Sequence, residues 1–438
     1  MLTREIAAGA VALVTFIALA AGSVPLIRLN RATIAAVGAG VLLALGVVTL
    51  SQAEATIDPN TLLLLLSMMV INSVLELAGF FNWAGQLVIE RARSPLVLLV
   101  LVVLMGGLLS ALFINDPVVL MLTPLVCGIT LRLRRNPVPY LLALATSANV
   151  GSTATLTGNP QNILIGTSSG ISYLTFLAHL GPLALVGLVI VVVVIRLLYR
   201  DEFNDRHFAT FEIDLPALSP QTSGLVMEHD SASPRPAPVS MATAAGMVYA
   251  PVIRKSLVVI AALLVALLAG MTPALAALFA ACALFVTRRI KSEKILSLVN
   301  WPLLVMFCGL FVVTGALDIT GVSQYLFELV SGLARAGVAP LTLVTAVLSN
   351  VISNVPAVLL FRPIVSRFPN PMQAWLTLAA ASTLAGNLTL IGSVANLIVA
   401  EQAMKVGVRV TFMEYLRVGV IITFLTLGVA VVWLGLVT

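Results

Sequence analysis

With 438 residues, 60% hydrophobic, only 10% charged and a mean hydropathy of +1.10, this chain is too apolar for a soluble globular domain. Its formal net charge of +6 sits in short loops between apolar runs. That placement excludes the clustered basic face by which a protein holds nucleic acid.

Taken in order, the apolar runs predict spans over 6–22, 32–50, 60–80, 138–168, 177–199, 254–270, 272–287, 300–317, 373–404 and 418–437. Each is close to the length a bilayer requires. The runs 138–168 and 373–404 are broken by polar, helix-breaking residues. Two further segments, 95–133 and 339–368, are split at Asn115-Asp116-Pro117 and Asn354-Val355-Pro356. A turn that short suits either a pair of full spans or a re-entrant hairpin. The first run is preceded only by Arg4 and followed by Arg28 and Arg31, so it reads as a retained span, not a cleaved signal.

Placing the central linker 200–253 in the cytoplasm puts all but Arg4, Arg335, Arg362 and Arg367 of the 24 Lys and Arg residues on the inside. The loop from Ser51 to Asn60 then lies outside, with Glu54 and Asp58 and no positive residue. Under this assignment residues 1–199 form a first repeat. Residues 200–253 form a flexible cytoplasmic linker, and 254–438 form a second repeat inverted in the membrane. Glu76 in Leu75-Glu76-Leu77-Ala78-Gly79 pairs with Asp318 in Leu317-Asp318-Ile319-Thr320-Gly321, Asn115 with Asn354, and Asn162 with Asn396. The three matches keep the same order and similar separations. The predicted fold is therefore an all-α polytopic membrane protein with two inverted repeats.

Gly and Pro inside a span release backbone groups from the helical ladder. In hydrocarbon such a break survives only where it is buried in protein or lines a watery cavity, and matched breaks in two repeats mark a transporter's binding site. The first set is Asn115 and Asp116 with Gly151, Ser152, Thr153, Thr155, Thr157, Gly158, Asn159 and Asn162; Asn149 adds a further amide. The second is Ser353 and Asn354 with Gly386, Asn387, Thr389, Gly392, Ser393 and Asn396. Freed helix N-termini favour anions, and freed C-terminal carbonyls favour hard cations.

Asp116 is the only carboxylate at either hinge, its counterpart being Val355. An acid at that depth is functional by default. It serves either as a carrier of H⁺ or Na⁺, with Asn115 beside it as a Na⁺ ligand, or as a helix cap. Glu76 and Asp318 are coupling candidates or helix-end residues, and Arg362 either snorkels or contacts an anion.

An enzyme is not expected. His179, His207 and His229 lack metal-ligand spacing, and no HExxH, GxSxG or Walker A motif is present. Neither a resident metal nor a cofactor is predicted. Cys127, Cys282 and Cys308 lie in apolar runs without CxxC spacing and read as small hydrophobes. No TVGYG-like filter appears.

At these motifs the chain resembles the ion transporter superfamily, in the branch of arsenite permeases, citrate-transporter-like proteins and NhaD-type sodium/proton antiporters. The resemblance covers nearly everything outside the linker. It is carried by Asn115-Asp116 with Thr123-Pro124, by Thr155 to Asn162, by Ser353 to Pro356 and by Gly386 to Asn396. It implies two repeats of about five transmembrane helices, each with a re-entrant hairpin whose tip meets a broken helix. It also implies an elevator-type motion and often a homodimer. Dicarboxylate carriers of this group have Ser-Asn-Thr at both tips. Here the tips read Ile114-Asn115-Asp116 and Ser353-Asn354-Val355, which speaks against sodium-coupled dicarboxylate uptake. The expected activity is secondary active transport of a small inorganic or organic anion, or an oxyanion, across the inner membrane, coupled to H⁺ or Na⁺. A cation/proton antiporter and a passive anion channel are the alternatives.

Overall fold

The computed structural model describes residues 2–21, 30–204, 249–287, 289–325, 328, 332 and 337–438. The linker expectation for 205–248 and the placement of Arg28, Arg206, Arg235, Arg288 and Arg335 lie outside these residues. Among the described residues the chain is helical throughout and contains no strand.

The first half runs α1 (Leu2–Ala21), α2 (Arg31–Ala44), α3 (Leu50–Thr56), α4 (Pro59–Ala78), α5 (Phe80–Arg91), α6 (Pro95–Leu112), α7 (Asn115–Arg132), α8 (Pro137–Ser152), α9 (Pro160–Ser169), α10 (Tyr173–Leu198) and α11 (Arg200–Phe203). The second runs α12 (Ala250–Leu268), α13 (Pro273–Phe285), α14 (Ser292–Ser297), α15 (Trp301–Ile319), α16 (Val338–Ile352), α17 (Asn354–Phe361), α18 (Pro371–Ala385), α19 (Val394–Lys405) and α20 (Phe412–Val437). Six described helices are long and apolar enough to cross a bilayer: α4, α6, α10, α12, α15 and α20. α2 and α13 are shorter than the predicted spans, at 14 and 13 residues, and α16, the first arm of the split segment 339–368, has 15.

The two halves pack alike. α2 lies on α15 as α13 lies on α4, α1 on α2 as α12 on α13, and α6 on α8 as α16 on α18; α10 and α20 pack on each other. A short helix precedes α4 in one half and α15 in the other, and only the first, α3, has a side-chain cap. Each broken helix starts at an Asn-Pro pair. Asn136 caps α8 by accepting from the Val138 N–H, and Asn370 caps α18 by accepting from the Gln373 N–H.

Long-range hydrogen bonds join residues that the charge pattern assigns to one membrane face. On the outer side Arg4 donates to the Gly46 carbonyl at 2.9 Å, Thr61 meets Thr167 at 2.6 Å, and Trp433 donates to the His179 carbonyl at 2.7 Å. On the inner side Tyr140 donates to Glu202 at 3.2 Å, and the Tyr249 N–H donates to the Ala78 carbonyl at 3.0 Å. α5 was not foreseen. It buries Phe80, Phe81 and Val88 and leaves Glu90 and Arg91 exposed, an amphipathic stripe too short to read as a span.

Candidate functional site

Both hairpin tips end inside the protein, so 95–133 and 339–368 are re-entrant. The first tip is anchored by the Asn115 N–H, which donates to the Gly158 carbonyl at 3.0 Å. The first arm of each hairpin is pinned to its broken helix. Thr155 donates its hydroxyl to the Ala111 carbonyl, and Asn350 donates to the Ala385 carbonyl at 2.9 Å. At the second tip Ser353 is held at φ 77°, a left-handed conformation unusual for a residue with a Cβ. Strain of this kind persists only where the surroundings impose it.

The breaks are stitched by the same device twice. Asn162 donates its side-chain amide to the carbonyls of Ser152 (3.0 Å) and Thr155 (2.9 Å). Asn396 donates to the matching carbonyls of Gly386 (2.8 Å) and Thr389 (3.2 Å). Each Asn thus takes up carbonyls left free where its helix stops, as buried backbone requires in a membrane.

The repeats then reach across to each other. Asn149, only 1% exposed, donates to Asn387 Oδ1 at 2.9 Å and to Asn396 Oδ1 at 3.0 Å. Its own Oδ1 accepts from Ser393 at 3.1 Å and from Asn115 at 3.2 Å. At the position matching Asn149 in the second repeat stands Thr383. Its hydroxyl accepts from Asn159 at 3.2 Å and from Gln161 at 3.1 Å. So the first half of each repeat's broken helix holds the other repeat's break.

In front of this network lies a cavity of about 340 Å³. Its wall holds both tips (Asn115, Asp116, Ser353, Asn354) and the start of the second half of each broken helix (Pro160, Gln161, Ser393, Val394). Four helix N-termini, those of α7, α9, α17 and α19, therefore converge on one space. Each carries roughly half a positive charge. Three of the four, α7, α17 and α19, have no side-chain cap. The Oδ1 atoms of Asn115 and Asn354 are buried without a hydrogen-bond partner. The charged residues in the wall are Arg31 and Asp116, which attract each other.

Of the residues singled out from the sequence, Asn115, Asp116, Ser353, Asn354 and Ser393 line the cavity. Gly151, Ser152, Thr153, Thr155, Thr157, Gly158, Asn159, Asn162, Gly386, Asn387, Thr389, Gly392 and Asn396 do not line it. Asp318 stands apart: it is exposed at the end of α15 and accepts from Ser323 at 2.8 Å. Arg362 lies over the Phe311 ring, 5.2 Å from its centroid, and not in the cavity wall. Sequence reasoning missed Gln161, Thr383, Asn300 and Arg31. Arg31 did carry a signal. Asn30 and Thr33 form a capping box that makes Arg31 the first residue of α2, where a cation opposes the helix dipole.

The packing of the first break yields a prediction. A Cβ on Gly158 would come within 2.3 Å of the Ser152 carbonyl oxygen and 2.9 Å of that of Ser110. On the matched Gly392 it would meet Asn350 Oδ1 at 2.9 Å and the Gly386 oxygen at 3.0 Å. Gly158→Ala should therefore destabilise the protein by about 1–3 kcal/mol, and more than Gly392→Ala. Thermal unfolding of the two purified variants in detergent checks the order.

Comparison with known proteins agrees with this geometry. The family described as citrate transporter matches residues 13–385. The silicon efflux transporter LSI3 of Oryza sativa subsp. japonica is 30% identical over 458 residues, covering 94% of this chain and 94% of its own. A 46 kDa membrane protein of Mycobacterium leprae is 30% identical over 428 residues, covering 93% and 94%. The crystal structure of the Alcanivorax borkumensis YdaH transporter shares the fold, with a TM-score of 0.58 at 13% identity over 99% of this chain and 98% of that one.

Proposed function

The chain belongs to the citrate transporter family, and from that premise we propose that this multi-pass membrane transporter is a secondary active carrier of a small oxyacid. The cargo is taken as the uncharged acid or its singly charged anion, and its movement is coupled to H⁺ or Na⁺ at Asp116.

One observation carries this reading. The cavity offers donors and acceptors together, as uncapped helix N-termini and as the Asp116, Ser353 and Ser393 side chains in its wall. A solute that bears both hydroxyl donors and oxygen acceptors satisfies both. A fully ionised polycarboxylate satisfies only the donors. Its several negative charges would also face a wall whose single Arg31 is offset by Asp116. Arsenite and silicic acid are cargoes of the favoured kind. Silicon efflux is also the activity in the name of the rice relative. The layout of two tips meeting two breaks at one cavity supports alternating access by movement of the hairpins and broken helices as a body.

The test is a cargo panel on the purified full chain in proteoliposomes with imposed pH and Na⁺ gradients. Arsenite, silicic acid, arsenate, phosphate, succinate and citrate are offered in turn. Uphill accumulation of arsenite or silicic acid is expected. Accumulation of citrate alone would overturn the reading of the cavity, and flux that only ever runs downhill would make the protein a channel.

A further inference from the structure

Behind the binding cavity lies a second chamber of about 160 Å³. Asn72, Ser73 and Glu76 of α4 line it, together with Asp116 and Leu120 of α7 and with Asn300. Asp116 and Asn300 also line the binding cavity, so Asp116 stands in the wall that the two spaces share. Glu76 stands one helical turn beyond Asn72 toward the end of α4 that the charge pattern places in the cytoplasm.

Asn72 identifies the contents. It is 2% exposed, and neither its Nδ2 nor its Oδ1 has a hydrogen-bond partner. Buried amides are nearly always paired with protein or with ordered water. A bare cation would satisfy the oxygen and leave the N–H groups unpaired, whereas water satisfies both. The chamber has the volume of about five waters in the liquid.

The charged groups lining the chamber are Glu76 and Asp116. Charged residues on helices packed against α4 and α7 lie outside its wall: Glu90 and Arg91 of α5, Arg254 and Lys255 of α12, Glu293 and Lys294 of α14, Asp318 of α15, and Glu401 and Lys405 of α19. Arg132 of α7 itself also lies outside it. Arg31 acts on Asp116 from the binding cavity.

We propose that this chamber is a water-filled proton path in which Glu76 relays protons between the cytoplasm and the Asp116 carboxyl without touching cargo. In the outgoing direction the Asp116 acid gives its proton to an adjacent water, which passes a proton to the Glu76 carboxylate. Glu76 then protonates cytoplasmic water. One O–H bond is broken at Asp116 and one is formed on bulk water, and the relay groups return to their starting state. The return direction reverses each step. Glu76 is thus a positioning and relay residue for coupling, and the inference rests on the proposed function for the choice of cargo and for proton coupling at Asp116.

Two measurements test it. In proteoliposomes, Glu76→Gln should lower the initial rate of pH-driven arsenite or silicic acid transport at least about tenfold, on the scale of a lost proton-transfer group. Cargo-for-cargo counterflow without a gradient should stay within about twofold, since it moves no proton through the relay. Glu76→Asp should restore pH-driven transport in part. A Glu76→Gln protein that keeps the wild-type pH-driven rate, or that loses counterflow as well, overturns the relay. Hydration is read separately, with Cys127, Cys282 and Cys308 replaced by Ala. Asn72→Cys should react with 2-aminoethyl methanethiosulfonate in inside-out vesicles, while Leu99→Cys, buried in α6, should not. No reaction at Asn72→Cys overturns the chamber. A wild type that moves neither cargo sinks the proposed function instead, and the thiol reaction still decides whether the chamber holds water.

Discussion

Asn149→Leu should abolish transport and cost several kcal/mol of stability, even though leucine keeps asparagine's branching at Cγ. The change removes four hydrogen bonds at once: two donated to Asn387 and Asn396, and two accepted from Ser393 and Asn115. Each buried partner left unpaired costs about 1–3 kcal/mol, and no water from outside compensates in an interior this closed. The loss is also strategic. Asn149 hydrogen-bonds the first hairpin tip and three residues of the second break. Thermal unfolding in detergent and flux in proteoliposomes together check it; near-normal values for both would show the network to be incidental.

Thr383→Val is the matched experiment in the other repeat and should be milder. The Thr383 hydroxyl accepts from Asn159 and Gln161, so valine removes these two bonds. Asn159 keeps a second partner in the Ser152 hydroxyl at 3.1 Å. The asymmetry between Asn149 and Thr383 matches that between the tips, since the first repeat carries the charged Asp116 and the second the neutral Val355.

Much of this architecture was legible in the sequence, for a physical reason. A helix can be broken inside a membrane only with residues that satisfy the freed backbone, so the breaks announce themselves as Gly, Pro, Asn and Thr in apolar surroundings. The Asn115/Asn354 and Asn162/Asn396 pairs were visible on that ground, and the loop charges placed on one face the residues that the long-range hydrogen bonds join. What was not legible was depth within the site. Thr155 and Ser393 look alike as small polar residues in a break, yet Ser393 faces the cavity and Thr155 is spent on the Ala111 carbonyl. That difference comes from tertiary packing and leaves no trace in spacing. Gln161 and Thr383 were missed because their contact crosses between repeats. Asn136-Pro137 and Asn370-Pro371 repeat at the same separation as Asn162 and Asn396 and could have been read, since Asn-Pro is a helix-start signal with a mechanism. Arg31 was counted as one more inside charge. Only the fold shows it across the cavity from Asp116.

Asp116→Asn should eliminate gradient-driven accumulation while sparing exchange of cargo against cargo. The side chain sits in the first turn of α7, whose N-terminus makes no side-chain capping bond, so the helix-cap alternative has no hydrogen bond to support it. Asparagine keeps the size and can still meet the cavity, but it cannot ionise. It therefore can neither release a proton nor supply the charge that holds Na⁺. Accumulation has a definite scale: a gradient of one pH unit supplies about 1.4 kcal/mol per proton, or about tenfold concentration of cargo. The variant should bring that ratio to unity. Counterflow should persist, because the cargo contacts at Asn115, Asn354 and the helix N-termini remain. Arg31 would then face the cavity without its opposing charge, so a singly charged oxyanion should bind the variant more tightly than an uncharged oxyacid does. Wild-type accumulation by Asp116→Asn under either a pH or a Na⁺ gradient would move the coupling site away from the first hairpin tip. It would also deprive the chamber beside Glu76 of its terminus.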